Sequence, residues 1–578
     1  MDKNIYEKII KAINYESYHT SYSPMFSNIG LQLTNDIEGV GSLYLNYNRS
    51  TRSVFENLIS FAVKMNLENS TAEKIIFGQN EASLAFYDID TFLFESEKLD
   101  KVLLFQNRSE NTLDLWKNFE DDILFINGYS KNLDERDPDE KVGFVIAAKI
   151  IEGDLQKDTV YSNKNKIKIA FTVQILEINE ETLVSRLNEA PNTIDEAMQK
   201  CSKWFMDNLK DFDITLKTKE ESDAIASAVQ GLLFNCTKAP GKLRNHISSY
   251  PNRGQYPTHF IWDSYFQNLA YECINKDIAK DAILQIIENQ RPDGKYPQFM
   301  CSTWDRPHDS QPALLGWAMK RLITIIEKDV EFEKKVFLSM EKNNMWWLTQ
   351  RMTKYGVIFC PSGLETGQDN SPRFDNGPTL ATDMNSFLLH QLKFTSETAL
   401  KFGFEEKAKY WENKAKKLEE NMIKMLYDEE YNLFFDYSLT KNEPIKIISP
   451  TALLPLWASI NIEEEIKNKM IEKYLINPKY LFSNFVFPCI AYTEDCFDAE
   501  DWWRGPVWPS LTYLSLEILE HSKYHDEYME ACKKIHQMIS EDGQMSELFN
   551  SLTGKGMGAK SQGWTCAVFI KLCNILNK

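Results

Sequence analysis

The sequence predicts an α+β protein of more than one domain, with an N-terminal antiparallel β-sandwich followed by a large helical domain. Two patterns lead to this prediction: apolar residues alternate with polar ones in the first third of the chain, and recur every three or four residues from about residue 216 onward. The length agrees with a protein of several domains, since 578 residues are more than one ordinary hydrophobic core contains. We expect the sandwich at 1–192, a linker helix at 193–215 and the helical domain at 216–578.

The strand pattern is clearest at residues 167–175, where isoleucine, phenylalanine and valine alternate with polar or small residues. This period of two is typical of a strand that buries one face. Further β-rich segments lie at 41–48, 83–95, 102–106, 123–126 and 144–151. Because no helical pattern separates them, they favour an antiparallel sandwich. A helix over about 193–209 is predicted to lead away from it.

Helical periodicity defines the remainder of the chain. One apolar stripe consists of Ala408, Trp411, Ala415, Leu418, Met422 and Met425. Its spacing places all six on one face of a helix, which we expect to be buried. Similar stripes begin at Ile278 and Met384. No short-period repeat is present, although a helical array can close into a ring without one.

The composition limits the classes of partner and cofactor that the protein can be expected to bind. With 65 Lys and Arg against 84 Asp and Glu, the net charge is −19, which argues against nucleic-acid and anionic-membrane partners. The N-terminal residues contain no long apolar run, so we expect a cytoplasmic protein. The ten cysteines form no CxxC pair and are expected to be reduced and mostly buried. No metal-binding motif is present, so we expect no cofactor, while a structural calcium ion on surface carboxylates stays open.

Residues suited to chemistry are concentrated in four parts of the helical domain. Eleven of the 13 tryptophans lie beyond residue 216, several of them beside carboxylates. Flat aromatic rings stack on the apolar faces of sugars, and the acidic charge favours sugars over nucleic-acid bases. The four parts are residues 259–266 with 304–312, residues 363–375, residues 501–509 and residues 547–564.

Four motifs in these parts resemble those of glycoside hydrolase family 63. They are Trp-Asp-Ser-Tyr-Phe at 262–266, Gly-Gln-Asp-Asn-Ser-Pro-Arg at 367–373, Trp-Trp-Arg-Gly-Pro-Val-Trp at 502–508 and Glu-Leu-Phe-Asn-Ser-Leu-Thr-Gly at 547–554. That family includes α-glucosidases and mannosylglycerate hydrolases, and trehalases are similar to it at a distance. The resemblance covers residues 216–578 and implies an (α/α)6 toroid with the active site at one mouth. The predicted sandwich is similar to the β domain of some members.

The resemblance also implies roles for individual residues. Asp369 matches the general acid and Glu547 the general base. The expected substrate-binding residues are Trp262, Asp263, Tyr265, Gln311, Glu365, Asn370, Arg373, Trp503, Arg504, Trp508, Gln562 and Trp564. Two departures are modest: Thr366 stands where many relatives have serine, and Phe549 where tyrosine is common.

These residue types fit the chemistry of an inverting glycosidase. Such an enzyme needs one protonated and one ionised carboxyl, about 6.5–9.5 Å apart, with a water between the second and the sugar. We expect cleavage of an α-linked glucosyl residue, or alternatively a mannosyl residue, from a small oligosaccharide or glycoside. Two other functions stay open: a sugar epimerase on the same toroid, which would need facing histidines, and a non-catalytic glycan-binding protein. Oligomeric state is left open.

Overall fold

The structure is a computed structural model, and the residues that it describes are 3–11, 24–25, 29–37, 40–48, 53–61, 70–77, 79, 81–106, 112–120, 122–131, 141–214, 219–302, 305–306 and 308–577. Trp304, which belongs to one of the four motif-bearing parts, lies outside them.

Two antiparallel sheets form the N-terminal region, in agreement with the predicted β-rich architecture. Their strands are β1 (Ile29–Ile37), β2 (Val40–Asn48), β3 (Ser53–Phe61), β4 (Ile75–Phe77), β5 (Ala82–Asp88), β6 (Thr91–Ser96), β7 (Lys101–Gln106), β8 (Thr112–Glu120), β9 (Ile123–Lys131), β10 (Lys141–Glu152), β11 (Asp154–Gln156), β12 (Thr159–Tyr161) and β13 (Ile167–Ile175). The first sheet has the order β1-β2-β3-β7-β12-β11, and the second β4-β5-β6-β13-β10-β9-β8. Leu104 and Val160 of the first sheet belong to the same buried apolar cluster as Phe92 and Phe171 of the second.

The alternation of apolar and polar residues predicts a sheet that buries one face, but the second sheet buries both. Helix α1 (Lys3–Lys11) precedes the sheets, and helices α2 (Glu180–Asn188) and α3 (Ile194–Asn208) follow them. Helix α3 contacts β5 and β6, and α2 contacts β10 and β13, so the second face of the sheet is covered too. Lys168 is consequently buried, with its Nζ 3.0 Å from Glu95 Oε1. Helix α3 thus packs on the sheet and does not lead away from it.

Helices dominate the chain beyond this region. They are α4 (Lys219–Asn235), α5 (Ile261–Ile274), α6 (Lys276–Glu288), α7 (Leu315–Leu322), α8 (Val330–Gln350), α9 (Gly363–Thr366), α10 (Thr382–Lys401), α11 (Glu405–Leu426), α12 (Leu454–Trp457), α13 (Glu464–Met470), α14 (Pro509–Glu520), α15 (His525–Asp542) and α16 (Gly563–Leu576). The short strands among them are β14 (Cys236–Thr237), β15 (Ser248–Ser249), β16 (His259–Phe260), β17 (Phe299–Met300), β18 (Thr379–Leu380), β19 (Tyr427–Asp428), β20 (Leu433–Phe434), β21 (Asp436–Ser438), β22 (Glu443–Ile445), β23 (Leu548–Phe549) and β24 (Gly556–Met557).

Six of these helices contact one another in succession. Helix α5 contacts α7, which contacts α10, and the series continues through α12, α14 and α16 back to α5. Helices α5, α10, α14 and α16 are buried on nearly every side, as expected for elements enclosed by others. Helix α11 instead buries one stripe, which runs as predicted from Ala408 to Met422 and then ends at Leu426, because Met425 is only partly buried.

Two further expectations concern thiols and membranes. All ten cysteines are free, and eight are buried, as the sequence predicts. Within the described ranges, no helix has the length and the hydropathy needed to cross a bilayer.

Candidate active site

A cavity of about 320 Å³ lies where three of the six contacting helices, α5, α14 and α16, begin. Trp262 and Asp263 belong to the first turn of α5, Trp508 immediately precedes α14, and Gln562 immediately precedes α16. The loops before these helices therefore meet at one place, although they are far apart in the chain. The lining residues are Pro251, Tyr256, Phe260, Trp262, Asp263, Gln298, Phe299, Arg306, Gln311, Leu364, Gly367, Asp369, Asn370, Trp502, Trp503, Trp508, Glu547, Gln562 and Trp564.

Glu547 is only 3% exposed and Asp263 only 4%, and we call the buried side of the cavity that these residues line its closed part. The β23–β24 hairpin fixes Glu547, since Glu547 N donates to Ala559 O at 2.8 Å and Ala559 N donates to Glu547 Oε2 at 2.9 Å. Gly558 has φ +70°, and a Cβ there would lie 2.5 Å from Glu547 Oε2. Burial raises the pKa of Glu547 to about 7, although the Ala559 amide and the Tyr256 hydroxyl donate to the carboxylate and oppose the rise.

Asp369 lies in the open part of the same cavity. Its side chain is exposed because it faces the cavity space, yet it is surrounded by enough protein that lost hydration raises its pKa. The charge of Arg306 opposes that rise, whereas the charge of Asp309 adds to it. A carboxyl in such surroundings is held closer to its protonated form than an ordinary surface aspartate.

The loop that carries Asp369 is tied to the tryptophan-rich loop opposite. Asn370 Oδ1 accepts from Trp503 N at 2.9 Å, and Asn370 Nδ2 donates to Asp501 Oδ1 at 2.8 Å. Gly367, at φ +74°, turns the chain just before Asp369, next to the Trp262 ring. The position of Asp369 thus depends on contacts at both ends of a short segment.

Three residues that line the cavity carry buried polar atoms without a hydrogen-bond partner among the described residues. Trp262 N donates to Gln311 Oε1 at 2.7 Å, and Gln562 Nε2 donates to Asp263 Oδ1 at 3.3 Å. In contrast, Trp262 Nε1, Gln298 Oε1 and Gln562 Oε1 are buried and have no hydrogen-bond partner among the described residues. Buried polar atoms are normally paired, so this donor and these two acceptors are candidate partners for a polar ligand.

Tryptophans form the wall beside the two carboxyls. The rings of Trp503 and Trp508 are stacked, with centroids 3.8 Å apart and an interplanar angle of 4°. Trp502 lies on Trp508 at 5.5 Å and 24°. Trp564 Nε1 donates to the backbone oxygen of Glu547 at 2.9 Å, which links this wall to the hairpin. Such faces suit the apolar side of a pyranose.

Ten of the fourteen residues expected from the sequence line this cavity. They are Asp369, Glu547, Trp262, Asp263, Gln311, Asn370, Trp503, Trp508, Gln562 and Trp564. Four others, Tyr265, Glu365, Arg373 and Arg504, do not line it, and the expectation that they contact substrate needs correction.

Glu365 and Arg373 are held by other charges behind the cavity wall. Glu365 is fully buried and accepts two hydrogen bonds of 2.8 Å from Arg351. Arg373 is 2% exposed and lies between the carboxylates of Asp383 and Asp436. A buried charge needs a close partner of opposite sign, and these pairs satisfy that need within the protein. Both residues therefore support the loops around Asp369.

Tyr265 and Arg504 also lie outside the cavity lining. Tyr265 is 1% exposed, and burial raises its pKa well above the usual tyrosine value. Arg504 pairs with Asp375 and lies 3.6 Å from Asp501, in the loop that carries the tryptophans. Arg504 therefore connects two loops in this structure and does not line the cavity, as its expected role in substrate binding would require.

Nine lining residues were missed by the sequence-based expectations: Pro251, Tyr256, Phe260, Gln298, Phe299, Arg306, Leu364, Gly367 and Trp502. Five of them lie inside the four motif-bearing parts, so proximity to the motifs was an available signal. Phe299 reaches the cavity because β17 pairs with β16, placing it opposite Phe260 with centroids 4.8 Å apart. Nothing in the local sequence indicates that pairing.

Among the residues that the structure describes, no histidine lines the cavity. His259 is fully buried and His390 is half-buried, both outside the cavity lining, and loss of hydration lowers the pKa of each to about 3. A facing histidine pair, required for the epimerase alternative, is therefore not found on the described part of this wall.

One group of metal-ligating side chains lies close together in the part of the chain that the structure describes. The donor atoms of Glu221, His536 and Cys573 lie within 4.8 Å of one another. None of the three lines the cavity, so a metal there would not touch a substrate in it.

Comparison with known proteins agrees with the motifs. Residues 256–565, more than half of the chain, match the family model for the mannosylglycerate hydrolase MGH1-like glycoside hydrolase domain. Mannosylglycerate hydrolase from Thermus thermophilus is 21% identical over 399 residues, which are 55% of this chain and 94% of that protein. Trehalase from Bombyx mori is 22% identical over 396 residues, 55% of this chain and 66% of that protein.

Solved structures show the same fold. The crystal structure of the GH63 mannosylglycerate hydrolase from Thermus thermophilus, in complex with Tris and D-glycerate, has a TM-score of 0.54 at 17% identity and covers 60% of this chain and 99% of that chain. A GH92 α-mannosidase from Bacteroides thetaiotaomicron, in complex with mannoimidazole, has a TM-score of 0.60 at 10% identity and covers 98% of this chain and 84% of that one. At these identities the likeness concerns the fold alone.

Proposed function

This chain belongs to the mannosylglycerate hydrolase MGH1-like glycoside hydrolase family, and from that premise we propose that it cleaves an α-linked glucosyl or mannosyl residue with inversion. Asp369 is the general acid and Glu547 the general base in this proposal. The substrate is a small oligosaccharide or glycoside whose terminal sugar enters the cavity first.

The difference in depth between the two carboxyls is the observation that carries the assignment. In a cavity closed at one end, a terminal sugar occupies the closed part and its leaving group extends to the mouth. The acid must reach the leaving oxygen, and the exposed Asp369 is suitably placed for that. The base must reach a water on the far side of the sugar, which fits the buried Glu547.

Each step of the reaction has a residue to perform it. Protonated Asp369 gives its proton to the glycosidic oxygen as the bond from that oxygen to the anomeric carbon breaks. Ionised Glu547 takes a proton from water while the water oxygen bonds to the opposite face of the same carbon. The products are a free sugar of inverted configuration and the released alcohol. Asp369 is then ionised and Glu547 protonated, and exchange with solvent restores both.

Recognition of the sugar uses the unpaired polar atoms and the aromatic wall. Trp262 Nε1 is suited to donate to a hydroxyl oxygen, and Gln298 Oε1 and Gln562 Oε1 to accept from hydroxyl protons. A site built to pair hydroxyls in this way rejects analogues that lack them, because its own buried groups would stay unpaired.

We also propose a fold and a domain division that support this site. The succession of six contacting helices fits the inner ring of an (α/α)6 toroid, with the cavity at its mouth. The division into residues 1–192 and 216–578 fits the sheet-rich and helix-rich halves, whereas the expected linker at 193–215 contains α3, which packs on the second sheet. The largest buried apolar cluster runs through both halves. A fold likeness to the GH92 α-mannosidase over 98% of this chain supports the combination of both halves.

Relatives suggest which glycosides to test. Their names include mannosylglycerate hydrolase, trehalase and glucosylglycerate hydrolase, so candidate leaving groups range from a small acid to a second sugar. We expect hydrolysis of at least one α-linked glucoside or mannoside from a panel containing both types.

The test of the assignment is the loss of turnover in Asp369→Ala and Glu547→Ala. We expect each to lower kcat by about 10²- to 10⁴-fold, the usual contribution of a general acid or base. Glu541→Ala is the matched control, because Glu541 is an exposed carboxylate six residues before Glu547. Folding is checked by circular dichroism, and retained turnover in either of the first two variants would refute its role.

A further inference from the structure

Trp502 differs from every other tryptophan on the cavity wall. It is 40% exposed, whereas Trp503, Trp508 and Trp564 are 4%, 2% and 5% exposed. It also has a φ of +25°, which a bulky side chain rarely adopts. An exposed ring on a strained backbone costs free energy in two ways, and such strain is concentrated at functional sites.

Contacts on both sides hold Trp502 in this conformation. Its backbone oxygen accepts from Trp508 Nε1 at 2.9 Å, and one face of its ring lies on the Trp508 ring. Its neighbours Asp501 and Trp503 are both hydrogen-bonded to Asn370. The exposed ring is thus fixed relative to the residue that follows the proposed acid.

The location of Trp502 identifies the part of the substrate that it can reach. The buried residues of the cavity surround the closed part, so an exposed lining residue belongs to the mouth. Asp369 is also exposed and lies in the segment to which the Trp502 loop is bonded. A ring beside the acid at the mouth faces the leaving group.

We propose that Trp502 is a stacking platform for a pyranose ring in the leaving group, so that the preferred substrates are glycosides in which a second sugar follows the cleaved bond. This rests on the proposed function. A flat indole offers apolar area to the face of a pyranose, which a short acyclic leaving group such as glycerate lacks.

The experiment compares substrates that differ only in the leaving group. It measures kcat/KM for an α-linked disaccharide, for the glycosyl glycerate and for the glycosyl fluoride of the same sugar. The variants are Trp502→Ala and Trp502→Phe, with Tyr410→Ala as control, since Tyr410 is 41% exposed and lies outside the cavity. Circular dichroism checks that each variant is folded.

We expect Trp502→Ala to lower kcat/KM for the disaccharide about tenfold relative to kcat/KM for the fluoride. The loss of one ring stack should act mainly by raising KM for the disaccharide. The glycerate-to-fluoride ratio should change less than twofold, Trp502→Phe should recover most of the loss, and Tyr410→Ala should keep the wild-type ratio. An unchanged disaccharide ratio in Trp502→Ala, or an equal fall in both ratios, would overturn the platform. If the wild-type protein turned over none of the three substrates, the proposed function itself would fail.

Discussion

The closed part and the mouth of the cavity are built differently. In the closed part, Glu547 is 3% exposed and Asp263 is 4% exposed. Hydrogen bonds within the β23–β24 hairpin hold Glu547 in place. At the mouth, Asp369 and Trp502 are exposed and belong to two loops that hold each other through Asn370. The closed part is therefore shaped by packing, whereas the mouth is shaped by contacts between loops.

This difference affects how each carboxyl gains and loses its proton. Removal from water favours the neutral form of a carboxyl, and both pKa values are raised. Glu547 is kept usable as a base because the Ala559 amide and the Tyr256 hydroxyl favour its ionised form. Asp369 has solvent beside it, so a proton can return after each turnover.

The largest expected effect separates the two carboxyls by their dependence on the leaving group. Fluoride departs without protonation, so Asp369→Asn should keep much of its turnover of the glycosyl fluoride while losing about 10³-fold on an alcohol leaving group. Glu547→Gln should lose turnover of both, because water activation is needed in each case. Steady-state kinetics on the two substrates would contradict the assignment if the pattern were reversed.

The next effect is on the free energy of unfolding, and it comes from Glu547 in the closed part. Burial raises the pKa of Glu547 from 4.5 to about 7, so folding is disfavoured once the side chain must ionise. Below about pH 4.5, protonated Glu547 makes its full contribution to the free energy of unfolding. That contribution is lost as the pH rises through about 7. Glu547→Gln should therefore stabilise the protein by about 3 kcal/mol at pH 8 and by little at pH 4.

Urea unfolding of wild type and Glu547→Gln at both pH values measures this difference. Gln537→Glu, which adds a charge on the surface of α15, serves as a control for general charge effects. An equal change in the free energy of unfolding at pH 4 and pH 8 would mean that Glu547 does not titrate as proposed.

A smaller effect is expected from the glycine that faces the base. In Gly558→Ala, the new Cβ would lie 2.5 Å from Glu547 Oε2 at a φ of +70°. The carboxylate must shift, so we expect kcat to fall about tenfold and stability by about 1 kcal/mol or more. Gly403→Ala is the matched control, since it has φ +75° and no atom within 4 Å of the added Cβ. Equal kcat losses in the two variants would show that the contact with Glu547 is unimportant.

The same two parts of the cavity show what a sequence can predict. Asp369 and Glu547 are 178 positions apart, and their motifs alone were enough to select both residues for one site. Local sequence could not tell that Arg373 pairs with Asp383 and Asp436 behind the wall, because an arginine in a loop can face either a ligand or a buried carboxylate. The rest of the cavity wall was less predictable, since Phe299 reaches it through a strand pairing.

The fold shows a parallel limit. The alternation at β13 correctly predicted a strand, but the pattern could not show that α2 and α3 cover its second face. Small residues such as Ala170 and Ala147 on that face are compatible with either solvent or a helix. Only the tertiary contact decides between them.

The stereochemistry of the first product tests the central claim most directly. Proton NMR during the first minutes of hydrolysis of an α-linked glucoside should show the β-anomer of the released sugar before mutarotation mixes the two forms. For an α-mannoside the β-anomer should likewise appear first. Initial release of the α-anomer would contradict a mechanism in which Glu547 activates water on the face opposite Asp369.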